Sequence, residues 1–283
     1  MGGESGVRER SVVALDRAAR RSSARPRRAA ARGRNFLVEW IAADGAGAAF
    51  AGASGAEAML LLPDCGAEIA AGGAEVAAAP RSVAIVPPGA FRVTLAGPGV
   101  CICLTSEPPA AAVGAGNAAA YAAPDPRIAP VGAPFRRVAG AGRVAVIDID
   151  TFAGDPRASG FKMLQSATMS INWVEADGPR DRSAMSPHSH AGFEQGSLSV
   201  HGDFIHHLRV PWGRDMALWR DDERLGAPAG TLLVIPVGLI HTTEWVGAGR
   251  NLLIDVFAPP RRDFIASGWV HNAADYADPQ RAG

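Results

Sequence analysis

One short unit is written twice in this chain. Val83-Ala84-Ile85-Val86-Pro87-Pro88-Gly89-Ala90-Phe91-Arg92 returns in the second half as Leu232-Leu233-Val234-Ile235-Pro236-Val237-Gly238-Leu239-Ile240-His241. Each copy is an apolar run stopped by Pro-x-Gly. Proline cannot donate to a central ladder and glycine admits a left-handed turn, so each run reads as a strand ending at a turn. The halves therefore echo each other, and the length of 283 residues suits two domains of roughly 150 residues each. In the first copy the residue after the turn is Arg92, which cannot bind a metal cation; in the second it is His241.

The rest of the pattern is short strands. Residues 36–41, 58–62, 82–86, 91–95 and 100–105 are apolar or period-two runs, punctuated by Pro63-Asp64 and Pro87-Pro88-Gly89. Residues 106–142 are rich in Ala, Pro and Gly and read as a linker with at most one short helix. The pattern resumes at 143–149 and 160–174, then 197–210 with a hairpin turn at His201-Gly202-Asp203, then 230–236 and 251–257. Trp212 to Arg224 is polar and reads as a loop or short helix. Short strands with turn signals between them predict an all-β sandwich or barrel. The expected organisation is a disordered Arg-rich tail at 1–34, a first barrel at 35–105, the linker at 106–142, a second barrel at 143–262 and an extension at 263–283.

Composition excludes several classes. No apolar run approaches the ~20 residues of a spanning helix, so no membrane role is expected. The formal net charge is zero, but residues 1–34 hold ten arginines against Glu4, Glu9 and Asp16. Such a block reads as a solvated arm or an over-extended start; an Arg-rich, acid-poor stretch is also the pattern of a transit peptide. Lys162 is the only lysine. This arginine bias reads as a GC-rich coding genome and weakens any nucleic-acid reading of the tail. Cys65, Cys101 and Cys103 are odd in number and confined to the first half, which is no disulfide framework and points to a reducing cytoplasm. There is no Gly-x-Gly-x-x-Gly, phosphate loop or Gly-x-Ser-x-Gly elbow.

All seven histidines follow residue 187. In His188-Ser189-His190 alternate residues of a strand share a face, and neutral imidazole is the commonest transition-metal ligand. Of the consecutive His206 and His207, one faces in and one out; His207 shares parity with Asp203, Ile205 and Arg209.

At these residues the chain resembles the cupin superfamily. Gly230, Pro236, Gly238 and His241 match its second motif in spacing, with Trp245 where Asn is usual. His188, His190 and Gly202 fit its first motif, with Arg182 in the leading Gly position. The resemblance covers residues 143–262 well and 36–105 only through the Pro-Pro-Gly turn. It implies two jelly-roll-type β-barrels in tandem, the second with a metal site and the first without ligands. The fourth ligand is Glu194 or Gln195, both at allowed spacings. The strand that follows favours Gln195, as in some sugar-acid-processing cupins, and leaves Glu194 at the rim.

Three imidazoles and one oxygen donor leave positions open on a five- or six-coordinate ion, as catalysis requires. The set suits one divalent transition metal (Fe, Mn, Zn or Ni) without choosing among them. The function expected is a metal-dependent enzyme performing Lewis-acid isomerase or lyase chemistry on a small carbonyl- or carboxylate-bearing, sugar-acid-like molecule. Glu194 or His207 would move a proton, and Arg209 and Trp212 would hold the substrate. The alternatives are an Fe(II)-dependent dioxygenase and a non-catalytic small-molecule binder. The resemblance also carries the expectation of a homodimer formed through edge strands.

Overall fold

The structure, a computed structural model, describes residues 7–23, 25–106 and 114–280. It is all-β, and every strand pairing within its sheets is antiparallel. In the first half a six-stranded sheet runs in the order Arg27–Arg32, Phe36–Ala43, Gly99–Ser106, Ala58–Leu62, Ser82–Val86, Ala145–Asp148. It faces a four-stranded sheet, Ala49–Ser54, Gly89–Leu95, Ala67–Ala71, Ala74–Ala78. In the second half a six-stranded sheet runs Ser11–Ala14, Thr231–Ile235, Gln195–His201, Arg250–Phe257, Ser170–Asp177, Lys162–Gln165. It faces Glu223–Pro228, Asp203–Arg209 and Ile240–Trp245.

The two six-stranded sheets also pack on each other. Phe36, Val38, Met59 and Leu61 from one meet Trp173, Leu198, Leu232 and Ile254 from the other in a single buried cluster. Alternate residues of the same strands point into the rolls: Ile41, Leu60 and Cys103 in the first, Leu233, Ile235 and Leu253 in the second. Each large sheet is thus covered on both faces. That is why Ala58–Leu62 and Thr231–Ile235, buried at every position, read as unbroken apolar runs rather than alternations.

Two sequence expectations are corrected here. Residues 1–6 and 24 lie outside the described residues, but 7–23 and 25–34 are no disordered arm. Ser11–Ala14 adds an edge strand to the second half by pairing with Thr231–Val234. The helix Leu15–Arg20 follows and buries Leu15 and Ala19. Arg27–Arg32 then pairs with Leu37–Ala42 of the first half. Three of the arginines are held by acids elsewhere in the fold: Arg10 by Glu223, Arg27 by Asp44, Arg8 by Asp125. Likewise Ala145–Asp148 does not open the second roll; it closes the sheet of the first by pairing with Ser82–Ile85. Each half therefore borrows a strand from beyond its expected boundary. Residues 107–113 of the expected linker and 281–283 of the extension lie outside the described residues. The rest of those two segments carries short elements, including the pairing of Arg136–Arg137 with Tyr276–Ala277.

A second repeat accompanies the exchange. Asn117-Ala-Ala-Ala-Tyr121-Ala-Ala-Pro124 and Asn272-Ala-Ala-Asp-Tyr276-Ala-Asp-Pro279 follow the first and second rolls respectively. Asn117 brackets the backbone of Arg32, accepting from its N–H at 2.9 Å and donating to its carbonyl at 2.8 Å. Asn272 does the same to Gln165, at 2.9 and 2.8 Å. The molecule is a pseudo-symmetric pair of rolls built by one chain.

Candidate metal centre

The site lies at one end of the second roll, where the Pro236-Val237-Gly238 turn meets the approach to Gln195–His201. Gly238 sits at φ +81°, the left-handed region, and its N–H donates to the carbonyl of His190 at 2.9 Å. His188 and His241 exchange both backbone hydrogen bonds, at 3.0 and 2.8 Å. These bonds bring three imidazoles together. One ring nitrogen each from His188, His190 and His241 lies within 4.8 Å of the others; His190 and His241 are buried and His188 is exposed.

The protonation pattern is fixed by partners. His188 Nδ1 donates to Ser186 O at 2.8 Å and His241 Nδ1 donates to Leu239 O at 3.0 Å. A carbonyl only accepts, so Nδ1 carries the proton and Nε2 keeps a lone pair. Gln195 Oε1 lies 2.8 Å from His190 Nε2 and 3.2 Å from His241 Nε2. Its amide orientation is set from behind: Nε2 donates to Asp255 Oδ1 and to Ser197 Oγ, both at 2.9 Å, and Ser197 Oγ donates to Asp255 Oδ1 at 2.6 Å. An oxygen lone pair therefore faces the His241 nitrogen lone pair across 3.2 Å. Two acceptors at that separation want a cation beside them, and the donor set of imidazoles and amide oxygen fits a divalent transition metal. His188, His190, His241 and Gln195 are the residues that would hold it.

The electrostatics suit ligands. Burial lowers His190 to about 3, with nearby His241 and Arg261 adding to the effect. Burial likewise lowers His241 to about 4. Both rings stay neutral at ordinary pH. Burial raises Asp255, opposed by its bonds from Ser197 and Gln195. Around His190 stand Phe193, stacked at 4.8 Å, and Phe257, edge-on at 5.7 Å. Arg261 lies over Phe193, Phe257 and Phe264 at 5.4, 5.0 and 3.7 Å, paired with Asp263 through Nε at 2.9 Å and Nη2 at 2.6 Å.

The other residues singled out from the sequence lie elsewhere. Glu194, just before the strand that Gln195 opens, faces the opposite side from Gln195. It is buried between the halves, where Oε2 accepts the Arg34 backbone N–H at 2.7 Å and Oε1 the Tyr121 hydroxyl at 3.2 Å. His207 is on the outer face of its strand, bonded to Glu244 Oε2 at 2.9 Å, with Arg182 on the other carboxylate oxygen at 2.6 Å. Arg209 shares that outer face, clamped to Asp222 at 2.8 and 2.5 Å. His207 and Arg209 line a groove of about 270 Å³ with Pro187, Arg224, Thr242 and His241. Trp212 is 74% exposed and stacks on Trp219 at 4.6 Å. Glu194, expected to move a proton, is turned away from the imidazoles, and Trp212 stacks on Trp219 apart from them; His207 and Arg209 are held by Glu244 and Asp222 in the groove that His241 also lines.

The inward member of the histidine pair is His206. It is fully buried, bonded to Thr243 Oγ1 at 2.9 Å through Nδ1, and has no partner at Nε2 among the described residues. Sequence reasoning also passed over Asp255, Ser197 and Arg261. Asp255 could have been found as the lone acid in the apolar run Leu252 to Phe257.

The first half shows what the same framework looks like without ligands. Ala51 pairs with Arg92 as His188 pairs with His241, and Ala58 opens its strand opposite Val86 as Gln195 does opposite Ile235. Ala51, Ala53 and Ala58 thus stand where His188, His190 and Gln195 stand. Gly55-Ala56-Glu57 matches Gly192-Phe193-Glu194, and Glu57 is buried like Glu194, accepting from the Ala167 N–H and the Tyr276 hydroxyl, each at 2.8 Å. A glutamate that does this in a roll without ligands is part of the framework.

By sequence, neither a protein-family model nor a curated protein matches this chain. By structure, it is similar to a Lactobacillus farciminis oxalate decarboxylase in complex with formate, at 12% identity and a TM-score of 0.58 over 94% of this chain and 92% of that one. It is similar to AerE from Microcystis aeruginosa, at 8% identity and a TM-score of 0.54 over 89% and 98%. A single-residue variant of the B. subtilis oxalate decarboxylase aligns at 12% identity and a TM-score of 0.53 over 82% and 72%. The fold is that of a bicupin: two cupin rolls in tandem.

Proposed function

We propose that this chain is a metal-dependent cupin enzyme of the isomerase or lyase kind, acting without a change of oxidation state on a small carbonyl- or carboxylate-bearing, sugar-acid-like molecule. The observation that carries this reading is the neutral oxygen of Gln195, turned toward the imidazoles by Asp255 and Ser197. Four neutral donors leave the full charge of a divalent ion to act on a bound oxygen, which is the Lewis-acid role of such an ion. The same donors offer no anionic ligand to stabilise a higher oxidation state, which sets this reading above an iron dioxygenase.

The protein's own groups supply the rest. Asp255 holds the Gln195 amide from behind, so its part is to orient that oxygen rather than to meet the substrate. Arg261, beside His190, offers a cation to a substrate carboxylate. Phe193 and Phe257 keep water from that side. No helix among the described residues is long and apolar enough to cross a membrane.

The test is turnover of a panel of keto and uronic sugar acids under argon. Conversion without oxygen, retained when iron is replaced by zinc or manganese, is the expected result. Activity that needs iron and consumes oxygen would reject the proposal in favour of the dioxygenase. A rise in melting temperature with a panel member, without turnover of any, would favour a binder.

A further inference from the structure

The loop that carries His188, His190 and Gln195 is fastened from the far half of the molecule. The Gly192 carbonyl accepts the Ala129 N–H at 2.8 Å. Glu194 takes the Arg34 N–H at 2.7 Å and the Tyr121 hydroxyl at 3.2 Å. Arg34 lies between the first roll's strands Arg27–Arg32 and Phe36–Ala43, and Tyr121 lies in the segment between its strands Gly99–Ser106 and Ala145–Asp148. Neighbouring residues of a strand face opposite sides. The carboxylate gripped between the halves and the amide presented to the imidazoles are therefore the two side chains of one dipeptide, and a turn of Glu194 carries Gln195 with it. The first roll repeats the grip through Glu57, Ala167 and Tyr276, but the next residue there is Ala58. The two rolls thus form a natural control: a like grip, reinforced in the first roll by Arg137 on Glu57 Oε1 at 3.4 Å, with and without an adjacent ligand.

We propose that Tyr121 is a positioning residue for the metal centre. Its hydroxyl sets Glu194, and through it the amide of Gln195, so the roll that lacks ligands holds the other roll's centre in shape. This rests on reading His188, His190, Gln195 and His241 as a metal site.

The experiment is a Co(II) titration of the chelator-treated full chain, read by visible absorption, for wild type, Tyr121→Phe and Tyr276→Phe. Tyr121→Phe is expected to weaken binding by about tenfold, the low end for groups that orient a ligand, and to change the absorption bands. Tyr276→Phe loses an equivalent buried hydrogen bond and some thermal stability, yet is expected to bind as wild type does. Equal affinity in all three overturns the positioning role; so does equal weakening in both variants, which would mark general loosening. If Tyr121→Phe does not fold, Glu194→Leu serves. It removes the carboxylate through which the hydroxyl acts, so weakening by about tenfold is expected; wild-type affinity overturns the positioning role, and so does complete loss of binding, which would make Glu194 itself a ligand. A wild-type chain that takes up no cobalt overturns the metal-site reading instead, and the inference falls with it.

Discussion

Side chains at the centre act through their partners as much as through their own atoms. Asp255 fixes which end of the Gln195 amide meets the imidazoles. Asp255→Leu should therefore lower metal affinity by roughly 10- to 100-fold, the usual range for an orienting partner, as checked by competition with a chelator. Unchanged affinity would show that the amide needs no such support. The buried imidazoles make a pH prediction for the metal-free chain. His190 and His206 are held at about 3 and His241 at about 4, below the ordinary 6.5, chiefly by burial. Between those values the unfolded chain binds more protons than the folded one. Stability thus rises with pH through this window and is lost as pH falls below about 6.5. The urea midpoint of metal-free protein should drop from pH 7 to pH 5, and a flat profile would contradict the burial of these rings. At this scale the sequence was largely legible. The closeness of His188, His190 and His241 was legible from their spacing, though His188 and His190 sit on a loop bridged to His241 rather than on the strand expected, and Gln195 opens the strand on the side away from Glu194. The side of the sheet taken by His206 and His207 did not follow, because parity says that two neighbours differ and not which one points inward.

Among the elements, the N-terminal arm departs most from the sequence reading. Its arginines resemble a solvated block, but Ser11–Ala14 covers the edge of the strand that leads into the Pro236 turn, and exposed edges need such cover. Leu15, fully buried in the core between the rolls, is the residue that decides the matter. Leu15→Ala should cost about 2–5 kcal/mol, as for other buried leucines, seen as a lower denaturation midpoint. A disordered arm would show no change. The signal was weak in the sequence because four strand residues and a helix of six give too short a window for periodicity to register. The strand Ala145–Asp148 was legible as a strand, but its assignment was not. Composition cannot show that a chain crosses to the neighbouring roll before beginning its own. The Asn-Ala-Ala-x-Tyr-Ala-x-Pro repeat after each roll was readable in principle and marks the duplication more directly than the Pro-x-Gly turns.

As a whole molecule the two rolls are built around one common core. Their large sheets share a core that includes Phe36 and Trp173, and each sheet borrows a strand from beyond its own roll. Calorimetry of the full chain should give a single transition with equal calorimetric and van't Hoff enthalpies; two resolved transitions would mean independent rolls. The division of labour between them is the central claim: one roll bears alanines and an arginine at the ligand positions, the other the donors. The most direct test is the metal content of full-length protein, wild type beside His241→Ala, with circular dichroism to confirm that both are folded. About one equivalent of a divalent transition metal per wild-type chain is expected, and none in the variant. A wild-type chain without metal after reconstitution, or a variant that keeps its metal, would contradict that division.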